Sequence, residues 1–247
     1  MQLTILGTSG AYPRAGGACS GYLIEDGNIR LLIDCGTGVL SNLQQHIPPW
    51  DVSHIIISHL HADHFLDLFP FRYVLWRLRQ GRPLLYLPPG GEEALLRISS
   101  IFDPAPTFFS DFFQVAEYDP EVTLQVGDLV IQFAQVKHYI PSYAMAIKGS
   151  RKIVYSADSG ICNELEELAK DADIFLCESA RCESDDESSW GHLSPQEAAE
   201  MARRARVRKL VLTHFWPECD YSKGLKMARD AFGRGVEVAE EHHTYIV

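Results

Sequence analysis

The sequence predicts an α/β fold made of two similar halves, and three observations support this prediction. Short β-rich runs bounded by Gly, Pro, Asp and Asn recur along the chain. Segments with a helical hydrophobic period lie between many of these runs. The strand–turn–strand segment "GYLIEDGNIRLLIDCGTG", from Gly21, is echoed by "AMAIKGSRKIVYSADSG", from Ala144. If each segment belongs to one half, the two halves face each other and their loops meet along one edge.

The first half alternates predicted strands with predicted helices. Its strands are expected at five apolar runs bounded by turn residues, "LTILG", "GYLIED", "IRLLIDCG", "HIIIS" and "PLLYLP". Its helices are expected where apolar residues recur every three to four positions, at 37–46, 66–79 and 92–101. Strands that alternate with helices are typical of a sheet covered by helices.

The second half repeats this alternation. Its strands are expected at "VTLQVGDLVIQFAQV", "YAMAIKG", "KIVYSAD", "DIFLCE" and "KLVLTH", and its helices at 163–171, from Ser194, and at 222–232. Ser194 is a predicted N-cap, because a proline follows it and Glu197 stands three residues after it. "HIIISH" at 54–59 resembles "KLVLTH" at 209–214, so we expect His59 and His214 to occupy related positions, as do Asp34 and Asp158.

Length and composition indicate one soluble domain covering residues 1–247. A chain of this size can bury a substantial core, and no linker or low-complexity stretch divides it. No apolar stretch approaches the roughly 18 residues of a membrane helix, and the chain starts as a strand rather than a signal peptide. We therefore expect a cytoplasmic protein without membrane contact. The six cysteines contain no C-x-x-C pair and are expected to be reduced, mostly buried thiols.

The net charge of −11 argues against a surface that wraps nucleic acid non-specifically. Such binding depends on Lys and Arg side chains that release counterions from phosphates. No extended nucleic-acid surface is expected, and any contact with nucleic acid must be local.

The segment "SHLHADHF", residues 58–65, concentrates groups that bind metal ions. Side chains two residues apart in an extended segment point the same way, so His59 and His61 can approach one ion. Asp63 and His64 follow in a turn and can face a second ion. Imidazole nitrogens and carboxylate oxygens are the usual non-sulfur ligands of zinc.

Four ligands do not fill two metal sites, so further ligands are expected at later strand ends. His138 ends the predicted strand "VIQFAQVKH", Asp158 ends "KIVYSAD" and His214 ends "KLVLTH". Any one of them alone is better explained by a structural role. Together they indicate a site, because loops at strand ends carry functional groups on a rigid scaffold.

These motifs resemble, in order and in strand context, those of the metallo-β-lactamase superfamily. The resemblance covers nearly the whole chain, including "GTSGAYP" and "LLIDCGTG" near its start. It implies a four-layer αβ/βα sandwich with a site for two Zn²⁺ at its edge, where Mn²⁺ or another divalent metal is an alternative. It further implies that one ion is bound by His59, His61 and His138, the other by Asp63, His64 and His214, and that Asp158 bridges them. Asp34 is expected to support the site without binding metal.

Two further segments resemble the ribonuclease Z branch of this superfamily, and in particular its shorter bacterial metal-dependent hydrolases. They are "HYIPSYAMAI" after His138 and "GHLSPQEAA" around His192. Flavodiiron relatives carry glutamate at the position of His61, so histidine there favours zinc and hydrolysis over redox chemistry. The resemblance implies that Asp63 orients or deprotonates the attacking water and that His192 protonates the leaving alkoxide or stabilises phosphate charge. Without the resemblance, His192 is better explained as a residue that caps or packs against the helix.

The chain departs from ribonuclease Z in ways that affect its expected substrate. Full-length enzymes of that branch carry a tRNA-binding arm between the positions of His138 and Asp158, which are only 20 residues apart here. The stretch after the histidine motif reads "FLDLFP" instead of a typical Gly-Leu-Pro. The expected function is therefore hydrolysis, by a hydroxide held between two metals, of RNA 3′ ends or of small or cyclic phosphodiesters.

Two alternatives to a phosphodiesterase stay open at this point. One is a zinc hydrolase of a carbonyl substrate, a thioester or a lactone. The other is a non-catalytic metal-binding carrier, which is disfavoured because every ligand position is filled. The aromatic segment 101–113 is expected to lie in the core or in a dimer contact, and a pocket lining or lid is the alternative. The apolar face of "FLDLFPFRYVLW" is expected in the core, with a homodimer interface as the alternative.

Overall fold

The computed structural model describes residues 1–181, 191–233 and 235–247, which form two seven-stranded sheets. The order of strands in the first sheet is β14-β1-β2-β3-β4-β5-β6. Its strands are β1 (Gln2–Gly7), β2 (Gly21–Asp26), β3 (Ile29–Ile33), β4 (His54–Ile56), β5 (Leu84–Leu87), β6 (Gln114–Glu117) and β14 (Thr244–Ile246). Strands β1 to β3 pair antiparallel, and β3 to β6 pair parallel.

The second sheet has the order β13-β12-β11-β10-β9-β8-β7. Its strands are β7 (Leu124–Val126), β8 (Leu129–Val136), β9 (Ser142–Lys148), β10 (Lys152–Tyr155), β11 (Ile174–Glu178), β12 (Lys209–Thr213) and β13 (Val236–Val238). Strands β8 to β10 pair antiparallel, and β10 to β13 pair parallel. Nearly every residue of β11 and β12 is buried, as expected for parallel strands covered on both faces.

Seven helices and one 3-10 turn connect the strands within the described residues. They are α1 (Val39–Leu43), the 3-10 turn (Pro49–Asp51), α2 (Ala62–Phe65), α3 (Leu68–Leu78), α4 (Gly91–Ser99), α5 (Asn163–Ala169), α6 (Pro195–Arg204) and α7 (Tyr221–Phe232). In this described part of the chain, every helix is too short or too polar to cross a bilayer.

The elements stack in four layers, helix on sheet on sheet on helix. Between the sheets, the rings of Tyr22 and Tyr155 lie 5.0 Å apart in a shared core. On the outside of the first sheet, Phe71 of α3 packs in a second apolar cluster, and Met201 of α6 packs in a third on the second sheet. The predicted αβ/βα sandwich is confirmed.

Both halves have the same topology, which confirms the predicted internal similarity. The antiparallel pair β2–β3 followed by parallel β4, β5 and β6 corresponds to the pair β9–β10 followed by β11, β12 and β13. Asp34 and Asp158 follow the corresponding strands β3 and β10, as predicted. The prediction for His59 and His214 is wrong. His59 follows β4, whose counterpart is β11, whereas His214 follows β12, because buried parallel strands have similar apolar sequences.

The aromatic segment 101–113 divides into an exposed start and a buried end. Phe108, Phe109 and Phe113 are buried in the core beneath α3, as expected. Ile101 and Phe102 are exposed by 84% and 55%. The segment thus supplies core residues and an exposed apolar edge.

The cysteines do not all follow the prediction of reduced thiols. Cys19, Cys35, Cys162 and Cys177 are free, and burial raises the pKa of Cys19 to about 12. Cys219 is disulfide-bonded, so the prediction is wrong for this residue. Cys182 lies outside the described residues.

Candidate metal centre

The histidine motif lies where β4 ends, at the edge at which the carboxyl ends of the parallel strands meet. β4 ends at Ile56, His61 has extended backbone, and α2 begins at Ala62. The change from extended to helical backbone sends the side chains of Asp63 and His64 in another direction from those of His59 and His61. One short segment thus supplies ligands to two adjacent positions.

The first ligand group consists of His59, His61, His138 and Asp158, with one donor atom of each within 4.8 Å of the others. His61 Nδ1 lies 3.2 Å from His59 Nε2 and 3.0 Å from His138 Nε2. Asp158 Oδ2 lies 3.6 Å from His59 Nε2. Three of the side chains are buried, and His61 is the partly exposed one.

The second ligand group consists of Asp63, His64, Asp158 and His214, all buried. Asp158 Oδ1 lies 3.2 Å from His64 Nε2, and its Oδ2 lies 3.1 Å from His214 Nε2. Asp63 Oδ2 lies 3.6 Å from His64 Nε2. Asp158 belongs to both groups. The structure therefore brings together all seven ligands predicted from the sequence.

The chemistry of these donors fits a divalent metal. His64 Nε2 and Asp158 Oδ1 are buried and have no hydrogen-bond partner among the described residues. A buried polar atom without a hydrogen-bond partner destabilises the fold. A cation bound between His64 Nε2 and Asp158 Oδ1 would give both atoms a partner. Burial lowers the pKa of His59 well below its ordinary value, which favours the neutral imidazole that binds metal. Burial alone would raise the pKa of Asp158, but the neighbouring imidazoles of His214, His64 and His59 hold it well below its ordinary value.

Asp34 contacts the ligand His64 on the side of the ring that faces away from the centre, and so supports the centre as predicted. Its carboxylate accepts hydrogen bonds from the Ser58 amide at 2.7 Å, the Ser58 hydroxyl at 2.8 Å and the Tyr155 hydroxyl at 2.8 Å. Its Oδ2 also lies 2.8 Å from His64 Nδ1. A proton on His64 Nδ1 leaves Nε2 free to face Asp158, so Asp34 selects the ligating tautomer.

Three other ligands are oriented by a polar atom behind the ring. His59 Nδ1 lies 3.0 Å from Ser58 Oγ, and His214 Nδ1 lies 2.9 Å from Ser20 Oγ. His138 Nδ1 donates to the Gly191 carbonyl at 2.8 Å. With the outer nitrogen engaged, each ring presents Nε2 to the centre.

The loop after β1 closes one side of the centre. The Ala11 amide donates to Asp63 Oδ2 at 2.7 Å. A Cβ at position 10 would lie 2.8 Å from His214 Nε2, so only glycine allows the backbone this close. Ala11, Asp34 and His214 all have positive φ, at 60°, 56° and 58°. Strained backbone of this kind is characteristic of functional sites.

His192 lies beside both ligand groups. Its ring centroid is 5.0 Å from that of His138 and 5.9 Å from that of His214. Its Nδ1 lies 2.9 Å from Oε1 of Glu178, a fully buried carboxylate at the end of β11. Burial alone would lower the pKa of His192, but the negative charge of Glu178 and this hydrogen bond raise it to about 9. The structure thus places the eighth predicted site residue beside the candidate centre.

Sequence reasoning missed Glu178. Its other contacts are hydrogen bonds accepted from the amides of Ser159 and Ala180, both at 2.9 Å. The available signal was a carboxylate that ends the otherwise apolar run "DIFLCE", where burial requires a partner.

Known proteins that resemble this chain identify its family. A family model described as "Beta-lactamase superfamily domain" matches residues 29–215. The probable metallo-hydrolase YhfI of Bacillus subtilis is 32% identical over 97% of both chains. The crystal structure of YhfI, described as a metallo-beta-lactamase fold protein, covers 99% of both chains with a TM-score of 0.89 and 27% identity.

More distant relatives include nucleases. Ribonuclease Z of Myxococcus xanthus is 27% identical, over 99% of this chain and 97% of its own. The structure of the short form of human tRNase Z, 24% identical, shares the fold over 100% of this chain and 99% of its own, with a TM-score of 0.79. The family match over most of the chain, on a sandwich that carries these ligands, shows that the protein belongs to the beta-lactamase superfamily, as a metallo-hydrolase related to ribonuclease Z.

Proposed function

We propose that the protein is a dinuclear zinc phosphodiesterase that acts on small or cyclic phosphodiesters or on RNA 3′ ends. The observation that carries this proposal is the Glu178–His192 pair beside the two ligand groups. A metal centre alone can serve several hydrolytic reactions, whereas a cationic imidazole next to it is suited to a leaving alkoxide and to phosphate charge.

The residues of the centre favour two zinc ions, with manganese or another divalent metal as the alternative. Five of the seven ligands are imidazoles and two are carboxylates, a donor set that zinc accepts readily. When bound, two such ions lower the pKa of a water molecule and neutralise charge on the phosphoryl oxygens.

Asp63 and His192 divide the proton transfers between them. The Ala11 amide holds Oδ2 of Asp63 in place, and this carboxylate accepts a proton from the attacking water. The water oxygen bonds to phosphorus as the ester oxygen departs. His192, held through Nδ1 by Glu178, gives a proton from Nε2 to the departing alkoxide.

The structure between His138 and Asp158 supports a short substrate. Strands β9 and β10 form a simple antiparallel hairpin there, and this fully described stretch carries no inserted arm. Together with the net charge of −11, this hairpin favours a substrate shorter than a long nucleic acid. A small diester or a single-stranded RNA end needs only the centre and its rim.

The test compares a dinucleoside monophosphate with an acyl thioester, using metal-loaded wild-type protein and His192→Ala. We expect the wild-type protein to hydrolyse the diester and His192→Ala to lower kcat roughly 10²- to 10⁴-fold with unchanged metal content. His54→Ala is the matched control, because His54 lies on β4 and contacts Ser53 and Tyr86 instead of the centre.

Two outcomes overturn the proposal in different ways. Cleavage of the thioester without cleavage of the diester assigns the protein to carbonyl chemistry. Failure of the intact protein to take up any divalent metal at neutral pH removes the hydrolase mechanism and leaves a binding role.

A further inference from the structure

Two histidines outside the candidate centre contact each other at the surface. His46 follows α1, and His242 lies in the loop between β13 and β14. His46 Nε2 lies 3.0 Å from His242 Nδ1, and the two rings stack with centroids 5.3 Å apart and planes tilted by 25°. Both residues are exposed, so a dissolved ion can reach them.

The spacing of the two ring nitrogens matches that of ligands that share one ion. Zn–N bonds of about 2.0–2.1 Å hold two nitrogens on one ion roughly 2.9–3.4 Å apart. In the first ligand group of the centre, Nδ1 of His61 lies 3.2 Å from Nε2 of His59 and 3.0 Å from Nε2 of His138. The pair of His46 and His242 has the same spacing and the same combination of Nδ1 with Nε2.

The protein holds both rings in place through contacts of their neighbours. The His242 amide donates a hydrogen bond to the Ile5 carbonyl of β1 at 2.8 Å. One helical turn before His46, the side-chain amide of Asn42 donates to Glu241 Oε2 at 3.0 Å. Residues 42 and 46 thus contact consecutive residues of one loop. Ligands that are already held in position lose little conformational entropy when they bind an ion.

The surroundings of the pair favour a transition-metal ion. Partial burial and the neighbouring His242 lower the pKa of His46, although the charge of Glu25 acts in the other direction. The lower pKa favours the neutral imidazole that binds metal. A surface cavity of about 240 Å³, lined by His46, Gln44 and Trp50 among others, has room for water molecules that complete the coordination. Imidazole nitrogens suit zinc, copper and nickel, whereas Mg²⁺ and Ca²⁺ prefer oxygen ligands.

We propose that His46 and His242 bind a divalent transition-metal ion, such as Zn²⁺, at a surface site separate from the candidate centre. This site is weaker than the centre, because it offers two protein ligands whereas each ligand group of the centre offers four. The ion joins the end of α1 to the loop that precedes β14, and β14 pairs with β1. Its role is to stabilise the first sheet, so the inference does not depend on the proposed function.

The test measures Zn²⁺ uptake by equilibrium dialysis in the wild-type protein, His46→Ala, His242→Ala and the double variant. We expect the wild-type protein to bind one more equivalent of Zn²⁺ per chain than either single variant. The double variant is expected to lose the same single equivalent, because both residues hold one ion. Saturating Zn²⁺ should also raise the Tm of the wild-type protein more than that of the variants, because an ion that binds the folded state stabilises it.

His243→Ala is the matched control. His243 adjoins His242 in the chain and is also exposed, but its ring packs on that of Tyr245, with centroids 4.5 Å apart. This variant is expected to bind as many equivalents as the wild-type protein. Equal uptake by the wild-type protein and either His46→Ala or His242→Ala overturns the inference, and a hydrogen bond between the two rings then explains their spacing.

Discussion

At the scale of single residues, the centre depends on groups that orient the ligands as much as on the ligands. Asp34 engages Nδ1 of His64 and is itself fixed by Ser58 and Tyr155. Glu178 does the same for His192. Each of these carboxylates is fully buried and determines which nitrogen of an imidazole faces the reaction.

Replacement of Asp34 by asparagine tests the first of these contacts. The asparagine side chain would keep the shape but offer only one acceptor oxygen for donors from Ser58, His64 and Tyr155. We expect Asp34→Asn to weaken metal binding about 10- to 100-fold, measured by competition with a chromogenic chelator. Asp173→Asn, a change at a surface ion pair with Arg208, provides the control. Unchanged metal affinity in Asp34→Asn would show that His64 needs no support.

Replacement of Glu178 by glutamine tests whether it positions His192 as a proton donor. We expect Glu178→Gln to lower kcat about 10- to 100-fold for a diester with an alkoxide leaving group, because that group must be protonated. For a p-nitrophenyl diester the expected loss is much smaller, since its leaving group is stable without a proton. Glu167→Gln, at an exposed carboxylate paired with Lys170, is the control. Equal losses for the two substrates would contradict the positioning role.

The candidate metal ligands were predictable from sequence, whereas the residues that support them largely were not. The spacing of His59, His61, Asp63 and His64 is itself a chemical signal. The role of Glu178 cannot be predicted from its neighbours in the sequence. It depends on the pairing of β11 with β10, which brings Glu178 beside the loop that carries Asp158. The contact between His138 and Gly191 uses a backbone carbonyl, so no side chain in the sequence indicates it.

At the scale of elements, the start of α6 is the best example of local sequence determining structure. Ser194 Oγ accepts from the Glu197 amide at 3.3 Å, and the Glu197 carboxylate accepts from the Ser194 amide at 2.8 Å. This capping box confirms the prediction made from "SPQE". His192 stands two residues before the cap, so the helix start also fixes the loop of the candidate proton donor.

Removal of the cap should destabilise the fold without emptying the centre. We expect Ser194→Ala to lower the free energy of unfolding by about 1 kcal/mol in urea denaturation. Ser100→Ala is the control, because the Ser100 hydroxyl donates a hydrogen bond to the Arg97 carbonyl at the end of α4 and does not cap a helix start. A change below the error of the measurement would show that the capping box does not limit stability.

Elements that sequence patterns missed are short or lie at edges. β6, β13 and β14 contain three or four residues each, and most of these residues are partly buried or exposed. Without a long apolar run, only pairing with a neighbouring strand defines such strands. α2 is a single turn inside the ligand motif, where metal-binding residues take the place of a hydrophobic pattern.

At the scale of the whole molecule, two similar sheets face each other and contribute ligands to one centre. Sequence echo predicted the two halves, and the corresponding positions of Asp34 and Asp158 agree with it. The halves nevertheless use corresponding strand ends differently, since β4 supplies the histidine motif and β11 supplies Glu178. Short apolar strands resemble one another too closely for sequence to show which pairs correspond.

We propose that a second copy of the chain covers the exposed apolar surface formed by Tyr73, Trp76, Ile101 and Phe102. Aromatic side chains bury about 150–250 Å² each when fully covered, so the exposed parts of Tyr73, Trp76 and Phe102, together with Ile101, supply roughly half of the 800 Å² that a standard interface buries per partner. The expected dimer is therefore weak, and its population depends on protein concentration.

Sedimentation velocity tests this proposal. The mean mass of the wild-type protein is expected to rise with concentration, and Trp76→Glu is expected to abolish this rise. A wild-type monomer at every concentration would contradict the proposal.

We propose that seven ligands from both halves form one two-metal centre for phosphodiester hydrolysis. The most direct test of this claim titrates metal-free protein with Zn²⁺ while the rate of dinucleoside monophosphate hydrolysis is measured. The expected rate rises with added metal and reaches a plateau at two equivalents per chain, because Asp158 joins both ligand groups. A plateau at one equivalent, or no hydrolysis at any ratio of metal to protein, would contradict the claim.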